Sequence, residues 1–139
     1  MALVEMDFSQ NGGGNFAETP LWTNSNPSAY QGAGQLTLSQ SISNFKYLKF
    51  TIKEYTTWAD STIMSIIISV EDFKRQIKGD AGGGSLCFPA VQVNTAVFVR
   101  RLYYKDDTHI YLYDSIRLGG DGTGTNDNVD ILVQIDGLN

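Results

Sequence analysis

At 139 residues the chain has the length of one domain, and residues 1–139 are expected to fold as one, around a core that needs no disulfide or structural metal. An apolar fraction of 42% with 12% aromatic residues excludes a disordered chain. A net charge of −5 and a pI near 4.6 exclude the basic stripe of a duplex nucleic-acid binder.

Residues 2–8 are the first strand candidate, and Glu5 and Asp7 interrupt the only apolar start. No signal peptide is expected, so the chain is made in a cytoplasm. Candidates at 20–23 and 35–40 follow, with Trp22 expected to pack inward. Leu48, Phe50 and Ile52 then alternate with Lys49, Thr51 and Lys53, the period of a half-buried strand. Met64, Ile66, Ile68 and Val70 alternate with Ile63, Ser65, Ile67 and Ser69. The only helical candidate, residues 70–77, lasts two turns at most. Residues 85–89, 96–105 and 109–117 read as strands, with Cys87 buried in the first of these. At the end Val129, Ile131, Val133 and Ile135 alternate with Asp130, Leu132, Gln134 and Asp136. Nine short strands separated by Gly- and Asn-rich breaks predict an all-β fold, a two-layer antiparallel β-sandwich. The apolar residues at outward positions, Ile63, Ile67 and Leu132, predict a homo-oligomer. No apolar run is long enough to insert in a membrane.

One hairpin can be read at the level of register. A three-residue loop of Asp106, Asp107 and Thr108 pairs Lys105 with His109 and keeps each face coherent. Phe98, Leu102 and Tyr104 then oppose Ile116, Leu112 and Ile110, with Arg100 opposite Asp114 on the same face. The other face collects Arg101, Tyr103 and Lys105 with His109, Tyr111 and Tyr113.

Catalytic signals are missing. The only histidine is His109, and no Gly-x-Ser-x-Gly elbow accompanies it. One Cys and one His are too few for a zinc site of those ligands. The triplets Gly12-Gly13-Gly14 and Gly82-Gly83-Gly84 lack the Lys-Ser/Thr of a phosphate loop. No pair of carboxylates stands out among fifteen acidic residues, so no enzymatic activity is expected. Residues 106–139 hold seven Asp and one Arg, net −6. Within them Asp121, Asn126, Asp127, Asn128 and Asp130 offer the hard oxygens that Ca²⁺ prefers, or simply a turn tolerant of positive φ. The aromatic row is the strongest functional signal: Tyr rings stack on the apolar faces of sugars while Arg, Lys or His bond the hydroxyls. Arg101, Tyr103, His109, Tyr111 and Tyr113 are therefore candidate ligand-binding residues, with Trp58 in a loop as a sixth. Burial against a second subunit, or a plain outward face, would produce the same row.

Leu21-Trp-Thr-Asn-Ser-Asn-Pro-Ser28, then Leu36-Thr-Leu38, then Phe45-Lys-Tyr-Leu-Lys-Phe-Thr-Ile52 together resemble the opening of a β-sandwich module of bacteriophage tail and minor structural proteins. Ile131-Leu-Val-Gln-Ile-Asp-Gly-Leu138 resembles the module's closing strand, with Asp136 where that module commonly has Tyr. The resemblance spans residues 20–138 and rests on core and turn positions. It implies a virion component with a jelly-roll-like sandwich, often trimeric, in host-recognising tail or fibre parts. The partners it implies are a host cell-surface glycan and other virion proteins. It carries over no catalytic or binding residues.

Overall fold

Period-two alternation becomes two antiparallel sheets. The structure, a computed structural model, describes residues 17–29, 31–54, 63–75, 86–91, 97–118, 124–126 and 130–139. Among these the strands are β1 (Glu18–Thr23), β2 (Gly34–Thr37), β3 (Tyr47–Glu54), β4 (Ile63–Ser69), β5 (Leu86–Val91), β6 (Val97–Asp106), β7 (His109–Leu112), β8 (Ile116–Leu118), β9 (Gly124–Asn126) and β10 (Asp130–Leu138). The first sheet has the order β1-β10-β3-β4. In the second, β7 lies between β2 and β6, β5 and β8 also pair with β6, and β9 pairs with β8. The fold is all-β, as the alternation predicts. The strand expected at 2–8 lies outside the described residues.

One cluster of buried side chains draws on both sheets. Leu48, Phe50 and Ile52 of β3 and Ile135 of β10 meet Leu102 of β6 with Ile110 and Leu112 of β7. Complete burial of a side chain such as Phe50 contributes about 1.5–3 kcal/mol. Trp22 is partly buried against the same cluster, as its sequence context predicts. The short helical candidate is realised as α1 (Val70–Lys74), which takes Val70 out of the alternating strand. Ser69 caps α1 by accepting the Asp72 N–H at 3.0 Å, and Glu71 and Asp72 favour its N-terminal turn. Its buried Phe73 lies 5.4 Å from the Phe50 ring and 6.2 Å from the Tyr104 ring, centroid to centroid, so α1 joins the two sheets at one end of the core.

Besides a register shift in β1 between Pro20 and Trp22, three irregularities correct the simple alternation. In β10 the register shifts between Leu132 and Gln134, so Leu132 pairs with Ile52 and is fully buried (0% exposed) in the core instead of facing outward. An extra residue reverses the parity of every position beyond it. Asn24 secures this bulge: its N–H donates to the Val133 carbonyl at 2.9 Å and its Nδ2 to the Leu132 carbonyl at 3.0 Å. The stretch 109–117 is not one strand but β7 and β8, separated at Tyr113, Asp114 and Ser115. Leu102 pairs with Leu112, yet Val99 pairs with Ile116 and Phe98 with Arg117, which displaces the expected Phe98–Ile116 pair by one residue. The third irregularity is at the hairpin tip, which carries the candidate site.

Candidate functional site

The β6–β7 hairpin keeps the expected register through its centre: Leu102 opposes Leu112, Tyr103 opposes Tyr111 and Tyr104 opposes Ile110. At the tip it departs. Asp106, not Lys105, pairs with His109, leaving Lys105 as the extra residue of a bulge. The cause is the Asp106 carboxylate. Oδ1 accepts the Thr108 N–H at 2.9 Å and the Thr108 hydroxyl at 3.0 Å, a side-chain turn that tightens the loop to Asp107 and Thr108. His109 Nδ1 lies 2.8 Å from the same oxygen. The Thr108 N–H, then the His109 ring, hold the Asp106 carboxyl down to about 2.

Parity places Arg101, Tyr103, His109, Tyr111 and Tyr113 on the outward side of the second sheet, because Leu102, Ile110 and Leu112 are buried between them. The sequence-predicted group is thus brought onto one face. Its three tyrosines form a closed triangle. Tyr103 stacks on Tyr111 with centroids 5.2 Å apart, and Tyr113 lies 5.4 Å from each. Pairs of this kind contribute about 0.5–1.5 kcal/mol beyond area burial, which fixes the rings without closing off their outer surfaces. All three remain partly exposed. The Arg101 guanidinium lies over the Tyr113 ring, 4.9 Å from its centroid. The bulge does not remove Lys105 from this face, since its Nζ reaches across β7 to donate to Gln35 Oε1.

Sequence reasoning missed β2 as part of the face. Gln35 pairs with Tyr111 and Thr37 with His109, so both stand on the outward side. No local signal could have found them, since β2 precedes β7 by some seventy residues. A second omission is Asp107. It accepts from Tyr104 Oη at 2.8 Å and from the Ser43 hydroxyl, and pairs with Lys74 Nζ at 2.8 Å. These contacts latch the hairpin tip to α1 and to the 3₁₀ turn Ile42–Asn44. Lys74, Ser43 and Tyr104, in that order, hold the Asp107 carboxyl down to about 2. Burial, then the hydrogen bond to Asp107, raises the Tyr104 hydroxyl to about 12.

The sign of the pH dependence follows. A carboxyl depressed in the folded state stabilises fully above its unfolded value near 4, and its contribution is lost as pH falls from about 4 to about 2. Asp107→Asn should therefore lower the melting temperature at pH 7, and the gap to wild type should close near pH 2. Thermal melts of both proteins across that range check this. A gap unchanged at pH 2 would mean that the carboxylate's charge is not what latches the tip.

The remaining candidates separate. Arg100 is fully buried, and Nη2 donates to the Gln31 carbonyl and, at 3.3 Å, to that of Gly32. Asp114 Oδ1 accepts the neighbouring Ala33 N–H at 2.8 Å. The Tyr113 N–H still donates to Arg101 O at 2.8 Å, so Asp114 and Ser115 together oppose Arg100 as a two-against-one bulge. Both charged residues serve the loop before β2. Cys87 lies in a strand, opposite Arg101. His109 meets carboxylate and hydroxyl alike on Nδ1, with Thr108 Oγ1 at 3.2 Å, whereas a nucleophile activated by His stands on the nitrogen away from the carboxylate.

Trp58, Asp121, Asp127 and Asn128 lie outside the described residues. Of the other possible calcium ligands, Asn126 is in β9 of the second sheet and Asp130 in β10 of the first. No group of three or more His, Cys, Asp or Glu residues able to hold a metal occurs among the described residues. Nor is any helix there long and apolar enough to cross a membrane. No protein-family model matches the chain, and no curated protein matches its sequence.

Proposed function

We propose that this chain is a phage or prophage virion structural protein, a tail or fibre module with a jelly-roll-like sandwich that binds host surface carbohydrate. The observation that carries the carbohydrate reading is the outward triangle of Tyr103, Tyr111 and Tyr113 with Arg101 laid over one ring. Partly exposed rings fixed by one another present a stacking surface that loses little entropy on binding. Polar groups from β2, β6 and β7 surround it to bond hydroxyls. The mechanism is multivalent: each platform is weak, and several copies in one particle give avidity. The virion setting rests on the tail-protein resemblance of residues 20–138. A glycan array on purified protein, read with light scattering for oligomeric state, tests the proposal. Binding to one structural class of saccharides by an oligomer is the expected result, and an array without signal would discard the lectin function.

A second reading, that of a capsid decoration or tail adaptor, draws on β4. Ile63 and Ile67 are 68% and 56% exposed on this edge strand of the first sheet, with uncharged Ser65 between them. An uncharged edge strand with apolar side chains favours pairing with another chain. In either reading the protein is a homo-oligomer, and a trimer is the expected state. Replacing both Ile63 and Ile67 by Lys should shift sedimentation toward monomer while changing stability by no more than about 0.5 kcal/mol per site. An unchanged sedimentation coefficient would place the subunit contact elsewhere.

A further inference from the structure

Resting on the carbohydrate-binding reading of the tyrosine face, we propose that its ligand is an acidic saccharide, a sugar ring carrying a carboxylate. Acidic residues outnumber basic ones in the chain by fifteen to ten. The tyrosine face runs against that balance. Its outward positions on β2, β6 and β7 include Gln35, Thr37, Arg101, Tyr103, His109 and Tyr111, continued by Tyr113, with Lys105 reaching over them from the bulge, and the carboxylate among them is Asp106, opposite His109. Asp106, at the rim, is already engaged by Thr108 and His109.

The two permanent cations of the face meet no carboxylate among the described residues, in contrast to three others. Lys49, Lys74 and Arg75 each meet a carboxylate, from Glu18, Asp107 and Glu71 respectively. Arg101 meets the Tyr113 ring instead, and its Nε is buried without a hydrogen-bond partner among the described residues. Lys105 donates to the neutral amide oxygen of Gln35, and no carboxylate pairs with it among the described residues. A guanidinium offers a planar fork of donors that a carboxylate fills with two parallel hydrogen bonds. A uronic-acid pyranose lying on the tyrosines directs its equatorial carboxylate sideways, close to the plane of the ring, toward flanking cations, whereas an α-linked sialic acid carries its carboxylate axially. A neutral sugar would leave both charges without an acceptor of opposite sign and forgo that attraction.

The test compares matched pairs by titration calorimetry: trigalacturonate against its methyl ester, and 3′-sialyllactose against lactose, with a glycerol-phosphate polymer as a further arm. At least one acidic member should bind about tenfold or more tightly than its neutral counterpart, since one charge-assisted bidentate contact is worth at least that ratio. Arg101→Gln should bring the ratio toward one, whereas Tyr111→Ala should weaken both members of the pair together. Lys105→Gln provides an independent reduction of the ratio should the Arg101 variant fail to fold, which circular dichroism would reveal. Raising the salt concentration should also compress the ratio. Equal binding of acid and neutral forms would overturn the acidic specificity and leave the carbohydrate face standing. Binding of the phosphate polymer alone would overturn the assignment to a carboxylate. Absence of binding to every saccharide would overturn the carbohydrate reading and this inference with it.

Discussion

Tyr111→Ala is expected to abolish detectable glycan binding while the protein stays folded. Tyr111 is the centre of the face: it stacks on Tyr103 at 5.2 Å, meets Tyr113 at 5.4 Å, and lies between Tyr103 of β6 and Gln35 of β2 in the ladder. Its removal opens the triangle and takes away the ring flanked by Lys105 and His109. One stacked ring is worth on the order of 1 kcal/mol or more, or about a tenfold loss at a single site. When several sites must engage together the loss compounds, so array signal that depends on avidity disappears. Stability should fall far less. The buried residues on either side, Ile110 and Leu112, are untouched, and the lost cross-strand contacts amount to about 1 kcal/mol. Array binding, near-ultraviolet circular dichroism and sedimentation on one preparation decide the matter. Dissociation to monomers, or unfolding, would make the tyrosine face buried structure and remove the residue-level support for receptor binding.

The face could be read from the sequence because its rows have a coherent period. Leu102 and Tyr104 against Ile110 and Leu112 admit one register that keeps apolar side chains together, and that register is present. What alternation does not encode is an inserted residue. Lys105 in β6, the pair Asp114 and Ser115 after β7, and Val133 in β10 each shift the parity. Behind each stands a side-chain bond to backbone: Asp106 to the Thr108 N–H, Asp114 to the Ala33 N–H, Asn24 to the Leu132 carbonyl. Only the first is local, and Asp-x-Thr at a hairpin tip could have suggested it. The other two join positions 81 and 108 residues apart. The same long-range logic explains why the motif containing Asn24 reads as structural: its asparagine satisfies carbonyls that a bulge takes out of the ladder.

Gly137→Ala should destabilise the protein by about 1–3 kcal/mol, the usual cost of forcing extra volume into a packed site. Gly137 pairs with Thr19 of β1 on one side and Leu48 of β3 on the other, so its backbone is held from both sides and cannot retreat. The Phe45 ring covers it. A Cβ there would stand 2.5 Å from Cγ and Cδ1 and 2.6 Å from Cδ2, well inside van der Waals contact. These atoms belong to the root of the ring, so relief requires the whole side chain to swing. Phe45 is itself constrained: it is buried in the core cluster, and its N–H donates to the Ile42 carbonyl at 3.1 Å to close the 3₁₀ turn. The closing sequence Ile135-Asp-Gly-Leu138 shows that a glycine is present, but the ring that requires it lies some ninety residues earlier. A double-mutant cycle isolates the cause. Phe45→Ala alone should cost roughly 3–5 kcal/mol through the cavity it leaves. In that background Gly137→Ala should cost almost nothing, because its methyl enters the vacated space. Chemical denaturation of the four proteins gives the coupling energy. Strictly additive losses would show that something other than the Phe45 ring demands glycine at 137.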